Sequence, residues 1–498
     1  MTSLGREIEL KLLLPAGTAA LLNHPRLSGT PPMRQKLHTV YFDTRDFELA
    51  KRGVALRMRR TGRRWIQTLK TGADSSGGLS ARVELEVPVS GPAIEFDRFP
   101  ADAWDYVPES LQSRLAPVFE TRFARRLWRV TGIWGSQIEI ALDEGEIRAG
   151  AKAEPIRELE LELKSGRPDA LFGLALELAR SVPLWPCDRS KADRGACLAR
   201  DIAAHPVKAT LPDLDRQLQP AEAWQMIAAQ CLRQFSANLP GIADDQDAEY
   251  LHQARVALRR FRSAYALFKR GLPLSQSLLA ELRNLNASLG PARDWDVFCT
   301  QTLPPILAAV PNKGPLQHLT ELAGQARRQA HEQLAHDLQS PACGRLLLGL
   351  ARRLSASTRH FVAELGDTRL DDFAGRQLKK RYRQVMSLAK NPLVSAEQRH
   401  RFRISVKRLR YVLDCFASLY SRRPVAAMSK ALADLQDALG HMNDQVVAHR
   451  LIKTIDDKSP CFDQADAAVH GWLAAIGLRF DRRLAGCLER LSAVKRFW

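Results

Sequence analysis

Charged and apolar residues alternate along the first third of the chain. Residues 7–11 read Glu-Ile-Glu-Leu-Lys. On a helix Glu7 and Glu9 would point about 200° apart and serve no common face. On a strand Glu7, Glu9 and Lys11 share one face, with neighbours roughly 7 Å apart. The same phase rule puts Arg57 with Arg59, Arg82 with Glu84 and Glu86, Glu139 with Asp143, and Glu158 with Glu160, Glu162 and Lys164; another such segment ends at Lys70. Strands are predicted near 6–13, 38–43, 53–61, 64–71, 81–90, 121–130, 137–143 and 156–165. Turn signals at Gly62, 75–78, Gly91-Pro92 and Gly132 separate them. Residues 168–182 read as a helix packed on the sheet.

Residues 203–220 hold three prolines and no periodicity. From Ala221 onward apolar residues recur at three and four, which predicts helices to the end. The expected organisation is a β domain at 1–204, a linker at 205–220 and an all-α domain at 221–498.

Between the β-half charges lie Ile8, Leu10, Leu85, Val87, Leu159, Leu161 and Leu163, which need a buried surface. Eight such antiparallel strands close into a barrel with one apolar and one charged wall, and either wall could line the inside. A charged outer wall would be ordinary solvated surface, although it would crowd glutamates in water with no evident gain. A charged inner wall is costly unless a ligand neutralises it. Carboxylates suit the hard cations Mg²⁺ and Mn²⁺, and Arg and Lys suit phosphate oxygens. A charged lumen therefore implies a metal-complexed polyphosphate. The charged strands contain no histidine and no Ser–His or Cys–His pair, which disfavours covalent catalysis.

The α half repeats itself. Residues from His252 and from His400 both read H-x-x-R-[VI]-x-x-[RK]-R-x-R. The first copy carries His252, Arg255, Arg259, Arg260 and Arg262, and the second His400, Arg403, Lys407, Arg408 and Arg410. Later echoes carry Asp294 and Asp444. Steps of three and four place His252, Arg255, Arg259 and Arg262 within about 80° of one helix face. Leu251, Leu258, Phe261 and Tyr265 form the adjoining packing stripe, matched by Phe402, Val406, Leu409 and Leu413. Each histidine either contacts a ligand or packs its helix. Arg376, Lys379, Lys380 and Arg383 extend the basic surface.

Charge agrees with this division. Residues 206–498 hold 43 Lys and Arg against 28 Asp and Glu, whereas 1–205 hold 31 against 27. Such a basic half suits a polyanion: nucleic acid, an anionic membrane or polyphosphate. Few aromatics accompany the basic repeats, which disfavours nucleic acid. No apolar run approaches the ~18 residues of a membrane span, and acidic Glu7 and Glu9 stand where a signal peptide would be basic. The eight cysteines form no CxxC pair, consistent with reduced thiols in the cytoplasm.

The ordered series ExExK, YFDT at 41–44, ALRMRR, TLK, VELEV, IEIALDEGEI, ELELELKSG and SKADRG at 190–195 resembles the CYTH family of triphosphate tunnel metalloenzymes. The resemblance implies an eight-stranded antiparallel tunnel, open at both ends, that binds triphosphate with Mg²⁺ or Mn²⁺. It assigns metal binding to Glu7, Glu9, Glu160, Glu162, Asp143 and one or both of Glu84 and Glu86, with catalysis centred on Glu7, Glu9 and Lys11. Lys11, Arg57, Arg59, Lys70, Arg125 and Lys191 would grip phosphate, with Arg82, Arg122 and Glu158 as weaker candidates. The duplicated helix resembles the CHAD domain, a polyphosphate-binding module of two pseudo-symmetric helical bundles, and covers about 221–498. Together these imply a cytoplasmic inorganic triphosphatase with a polyphosphate-binding domain. Thiamine triphosphatase, adenylate cyclase and a non-enzymatic polyphosphate or nucleic-acid binder are the alternatives.

Overall fold

The computed structural model describes residues 6–72, 75–245, 247–269, 273–356, 368–390, 395–455, 457 and 459–498, without the side chains of 101, 102, 396, 440–444 and 477–482. Two compact units result, Met1–Pro206 with Leu338–Leu354, and Val207–Asp337 with Ser355–Trp498.

The first unit is a closed antiparallel barrel. Its strands are β1 Arg6–Leu13, β2 Met33–Asp43, β3 Ala55–Thr61, β4 Arg64–Lys70, β5 Leu79–Val89, β6 Ala116–Thr131, β7 Gln137–Ala149 and β8 Lys152–Ser165. They pair in the order β5-β4-β3-β2-β6-β7-β8-β1, and β1 pairs with β5 to close the ring. A two-residue strand, β9 Trp185–Pro186, adds to β1 at Leu12 and Leu13.

Alternation decides which wall faces in. Leu10, Leu12, Ile138, Ile140, Leu142, Leu159 and Leu161 point outward and are buried under the helix Asp169–Leu178, whose Leu171, Phe172, Leu174, Ala175 and Leu178 complete that core. Each large side chain buried there contributes roughly 1.5–3 kcal/mol. With the apolar phase committed outward, the charged phase must line the lumen. At one end the inward phase turns apolar: Phe119, Phe123, Ile147 and Ile156 pack with Leu37, Tyr41 and Ala196 of the helix Lys191–Ala199. A Cβ at Gly195 would lie 2.1 Å from the Phe119 ring, so glycine lets this helix sit against it. Apolar side chains thus line that end of the interior, and Tyr41, Phe119 and Ala196 also border the chamber.

The second unit is helical. Its duplicated helices, Ala248–Phe268 and Ala396–Phe416, start at Asp247 and Ser395, whose side chains cap the first turn. The predicted stripes are core apart from half-buried Tyr265: Leu251, Leu258 and Phe261 are at most 1% exposed, and Phe402, Val406, Leu409 and Leu413 are fully buried. Trp224 packs on Phe261, and Phe268 on Phe373 and Phe416. A second core joins Trp295, Phe298, Leu319, Leu451, Phe462 and Val469. One segment of 221–498 packs elsewhere: helix Pro341–Ser355 puts Leu348 and Ala351 into the barrel's outer core. Among the described residues no helix is long and apolar enough to cross a membrane.

Candidate active site and candidate anion site

The barrel encloses a chamber of about 570 Å³ lined by Glu7, Glu9, Lys11, Arg57, Arg59, Lys70, Arg82, Glu84, Glu86, Arg125, Glu160, Glu162 and Lys191, with others. Strand register explains the grouping. Glu162 of β8 stands directly between Glu9 of β1 and Glu139 of β7. In the next row Lys11 faces Glu160. In the next, Glu158 faces Asp143, which faces Arg125. Across the ring Glu7 faces Arg82 and Lys70 faces Glu84.

The deepest row is densely ion-paired. Arg125 forks onto Asp143 with two 2.7 Å bonds and donates a third of 2.7 Å to Glu160. Lys191 Nζ lies 2.7 Å from Asp143 and 2.9 Å from Glu160, and it also meets Glu158. Arg194 approaches Glu158 at 3.4 Å. Burial pushes the Glu160 carboxyl up, but Lys191, Arg125 and Lys11 outweigh it and hold it well below the carboxylate range. Carboxylate oxygens of Asp143, Glu158 and Glu160 lie within 4.8 Å of one another, close enough to share a metal ion. The Lys191 ammonium already contacts all three.

The outer row stacks three carboxylates. Glu9, Glu162 and Glu139 are like charges on adjacent strands, met by Arg82 and Lys11 at Glu9, by Lys164 at Glu162 and Glu139, and by Arg129 at Glu139. Burial raises the Glu162 pKa, and Glu7 and Glu139 add to it despite a 2.6 Å bond from Lys164. Carboxylates crowded in this way fit a hard divalent ion. Glu7 accepts from Lys70 at 2.9 Å and Arg82 at 3.2 Å, and Glu9 from Arg82. Lys11 lies 3.7 Å from Glu9 and 3.9 Å from Glu160. Burial lowers the Lys11 pKa, but Glu9, Glu160 and Glu158 outweigh it and leave it raised.

On the far wall Arg57 reaches Glu84 at 3.2 Å and Glu86 at 3.7 Å, and Lys70 reaches Glu84 at 2.9 Å. Arg59 differs from the other cations. It donates to Thr39 Oγ1 at 3.2 Å, and burial with Arg57 and Arg125 lowers its pKa to about 10. Arg122 points away from the chamber and pairs with Glu120 at 2.8 Å.

Sequence pattern alone assigns no role to Tyr41 of the YFDT segment. It lines the chamber, stacks on Phe119 at 4.4 Å and hydrogen-bonds Arg57. Its inward phase with Thr39 was the available signal. Asp43, in the same motif, caps a helix by accepting from Leu49 N and Ala50 N.

In the helical unit His252, Arg255, Arg259 and Arg403 line a cavity of about 210 Å³ with Arg293 and Asp294. Residues of both repeats thus meet in one place. Burial, then Arg293, lowers the His252 pKa; burial, then Arg259, lowers that of Arg255. Arg255 Nη1 and Arg259 Nε are buried without a hydrogen-bond partner. The other repeat residues stand apart from this lining. Arg260 pairs with Asp414 at 3.5 Å, Arg410 donates to Gln436 at 2.7 Å, and Arg262, His400 and Arg408 are exposed. Lys407 is half-buried outside the lining. The side chain of Asp444 lies outside the described residues. Arg293 has no basic counterpart in the second repeat, where Asn443 stands.

Residues 5–196 match the CYTH domain family and residues 226–453 the CHAD domain family. The chain is 34% identical over 202 residues to an inorganic triphosphatase of Haemophilus influenzae. That match covers 39% of this chain and 55% of the relative, so the chain spans just over half of that relative's length. An uncharacterized protein of Mycobacterium tuberculosis is 27% identical over 451 residues, 83% of each. The crystal structure of the CHAD domain from the plant Ricinus communis matches at 31% identity and a TM-score of 0.53, covering 59% of this chain and 98% of that one.

Proposed function

The chain joins a CYTH domain to a CHAD domain, and on that premise we propose that it hydrolyses inorganic triphosphate to diphosphate and phosphate in the barrel and binds polyphosphate in the helical unit. One observation carries this reading: carboxylates and cations from β1, β3, β4, β5, β6 and β8 all turn inward onto one chamber. The Haemophilus relative's triphosphatase name supports the choice of reaction.

Lys11, Arg57, Arg59, Arg125 and Lys191, all in the chamber lining, would hold the phosphate oxygens, with Tyr41 steadying Arg57. Arg59 has the weakest internal compensation, so it gains most from an anion. Glu7, Glu9 and Glu162 would hold a Mg²⁺ or Mn²⁺ ion, with Glu160 adjoining and Glu84, Glu86 and Asp143 in the surrounding acidic set. When bound, such an ion neutralises phosphate charge and polarises the terminal phosphorus. Cys187, also in the lining, is a poor nucleophile because burial raises its pKa. Direct attack therefore remains: a water oxygen forms a bond to the terminal phosphorus while the bond to the bridging oxygen breaks, and the water's proton passes to a phosphate oxygen or to solvent. The fixed cations stabilise the charge that moves onto diphosphate.

Inorganic triphosphate is favoured over a nucleotide or thiamine ester by the lining. Its described aromatic side chains are Tyr41, Phe42 and Phe119, and Tyr41 and Phe119 are stacked on each other. In the helical unit, the partnerless buried nitrogens of Arg255 and Arg259 call for anionic oxygens. Phosphate release from triphosphate, thiamine triphosphate, ATP and long-chain polyphosphate, each with Mg²⁺ and Mn²⁺, tests the proposal. Triphosphate should be turned over fastest. Binding of triphosphate without release, or faster release from a nucleotide, would reject it.

A further inference from the structure

Helix Pro341–Ser355 lies far downstream of the barrel, between stretches that belong to the helical unit, yet residues 338–354 pack in the barrel unit. The attachment is built at several points. Leu348 is fully buried in the core of Leu10, Leu12 and Leu159. Arg352 forks onto Asp169 with bonds of 2.7 and 2.6 Å. Trp185 of β9 donates to Leu338 O at 2.9 Å. A Cβ at Gly344 would lie 2.1 Å from Leu184 O, so backbone meets backbone there.

The same helix bears on the turn that enters β5. A Cβ at Gly77 would sit 2.5 Å from the Ala351 methyl. Gly77 and Gly78 have φ of +62° and +83°, a conformation glycine adopts readily. The turn is wired to the chamber. Gly78 O accepts from Lys11 N at 2.9 Å. Ser75 Oγ and Gly78 N donate to Asp188 Oδ1 at 2.6 and 2.9 Å. Cys187 N donates to Lys11 O at 3.0 Å, and three residues beyond Asp188 the chain delivers Lys191.

We infer that the barrel unit is complete only with residues 338–354, and that Leu348 and Ala351 act as positioning residues for Lys11 and Lys191 through the turn at 75–78. The catalytic unit thus borrows a strut from within the helical half of the sequence. Only the activity readout of this inference rests on the triphosphatase reading.

A protease site placed within the exposed stretch 203–205 of the full chain provides the test. After cleavage the two pieces should co-elute on size exclusion and keep their triphosphate kcat/KM, because the strut stays docked. With Leu348→Asp added they should part, and the freed N-terminal piece should lose at least tenfold in kcat/KM. A cleaved parent chain that separates into a fully active N-terminal piece would overturn the inference.

Ala351→Val in the uncut chain keeps the positioning claim testable if the aspartate variant fails to fold. KM for triphosphate should rise about tenfold, since small misplacements are costly. Combined with Lys11→Ala, it should cause no further loss than Lys11→Ala alone. Multiplying losses would contradict positioning through Lys11. An uncut parent chain that never hydrolyses triphosphate would sink the functional reading instead, and co-elution would then decide the strut.

Discussion

Among the described residues Lys191 is the cation that touches Asp143, Glu158 and Glu160 together, so Lys191→Ala is the sharpest perturbation of the barrel interior. Each unit-charge contact near 3 Å is worth about 5–6 kcal/mol at an effective dielectric of about 20, and desolvation offsets most of it. Removing one partner of a buried set costs about 3–5 kcal/mol. For a unit of roughly 200 residues that lowers the melting temperature by about 6–20 °C. The pH response should also weaken. In the parent chain Glu160 is held below its usual range, so its contribution is present above an unfolded pKa of ~4.3 and is lost as pH falls from there through its depressed folded pKa. In the variant Arg125 and Lys11 remain but Lys191 is gone, so that contribution shrinks and the deficit against the parent should narrow in acid. Thermal melts of both proteins, metal-free, at pH 7, 5 and 3 give the comparison. A variant melting within about 2 °C of the parent at pH 7, or a deficit that widens at pH 3, would refute the assigned charge balance.

Glu9→Gln should cut triphosphate turnover about 100-fold while the fold persists, since it deletes one carboxylate of the crowded outer row; kinetics over a metal titration would show it, and full turnover at saturating metal would count against the assignment. Arg59→Met should leave the melting temperature unchanged or higher, by relieving repulsion from Arg57 and Arg125, yet weaken triphosphate capture at least tenfold by calorimetry. Because the folded Arg59 pKa, about 10, lies below its unfolded value, folded stability from this group should rise as pH passes upward through 10 while capture declines. In the helical unit, replacing Arg255 and Arg259 together should cost more polyphosphate affinity than replacing exposed Arg262 and Arg408 and should flatten the salt dependence, and a salt-titrated binding series would settle the order.

Legibility in the sequence followed sequence range. The charged row of β8, Glu158-Glu160-Glu162, and the stripe Leu251-Leu258-Phe261 are local periodicities, and both were readable. The inward direction of the charged wall depended on where the apolar phase found cover, under helix Asp169–Leu178. The apolar inward end at Phe119, Phe123, Ile147 and Ile156 was obscured because alternation there shows only which residues share a phase, not what fills the space. Periodicity put Arg262 on the face of Arg255, yet the helix carries it past the cavity into solvent. Arg293 joins the basic cavity from another helix, and because Asn443 stands opposite it in the second repeat, the alignment did not mark it as part of the basic face. The strut at 341–355 depends on contacts between distant segments, for which local pattern holds no signal.

The most direct measurement of the central claim is a ³¹P NMR time course of inorganic triphosphate with the full chain, with and without Mg²⁺ or Mn²⁺, beside Glu9→Gln. The account predicts that triphosphate signals decay into equal amounts of diphosphate and phosphate with metal and the parent chain. It predicts little decay without metal or with the variant. Unchanged triphosphate in the presence of metal, or equal rates for parent and variant, would contradict it.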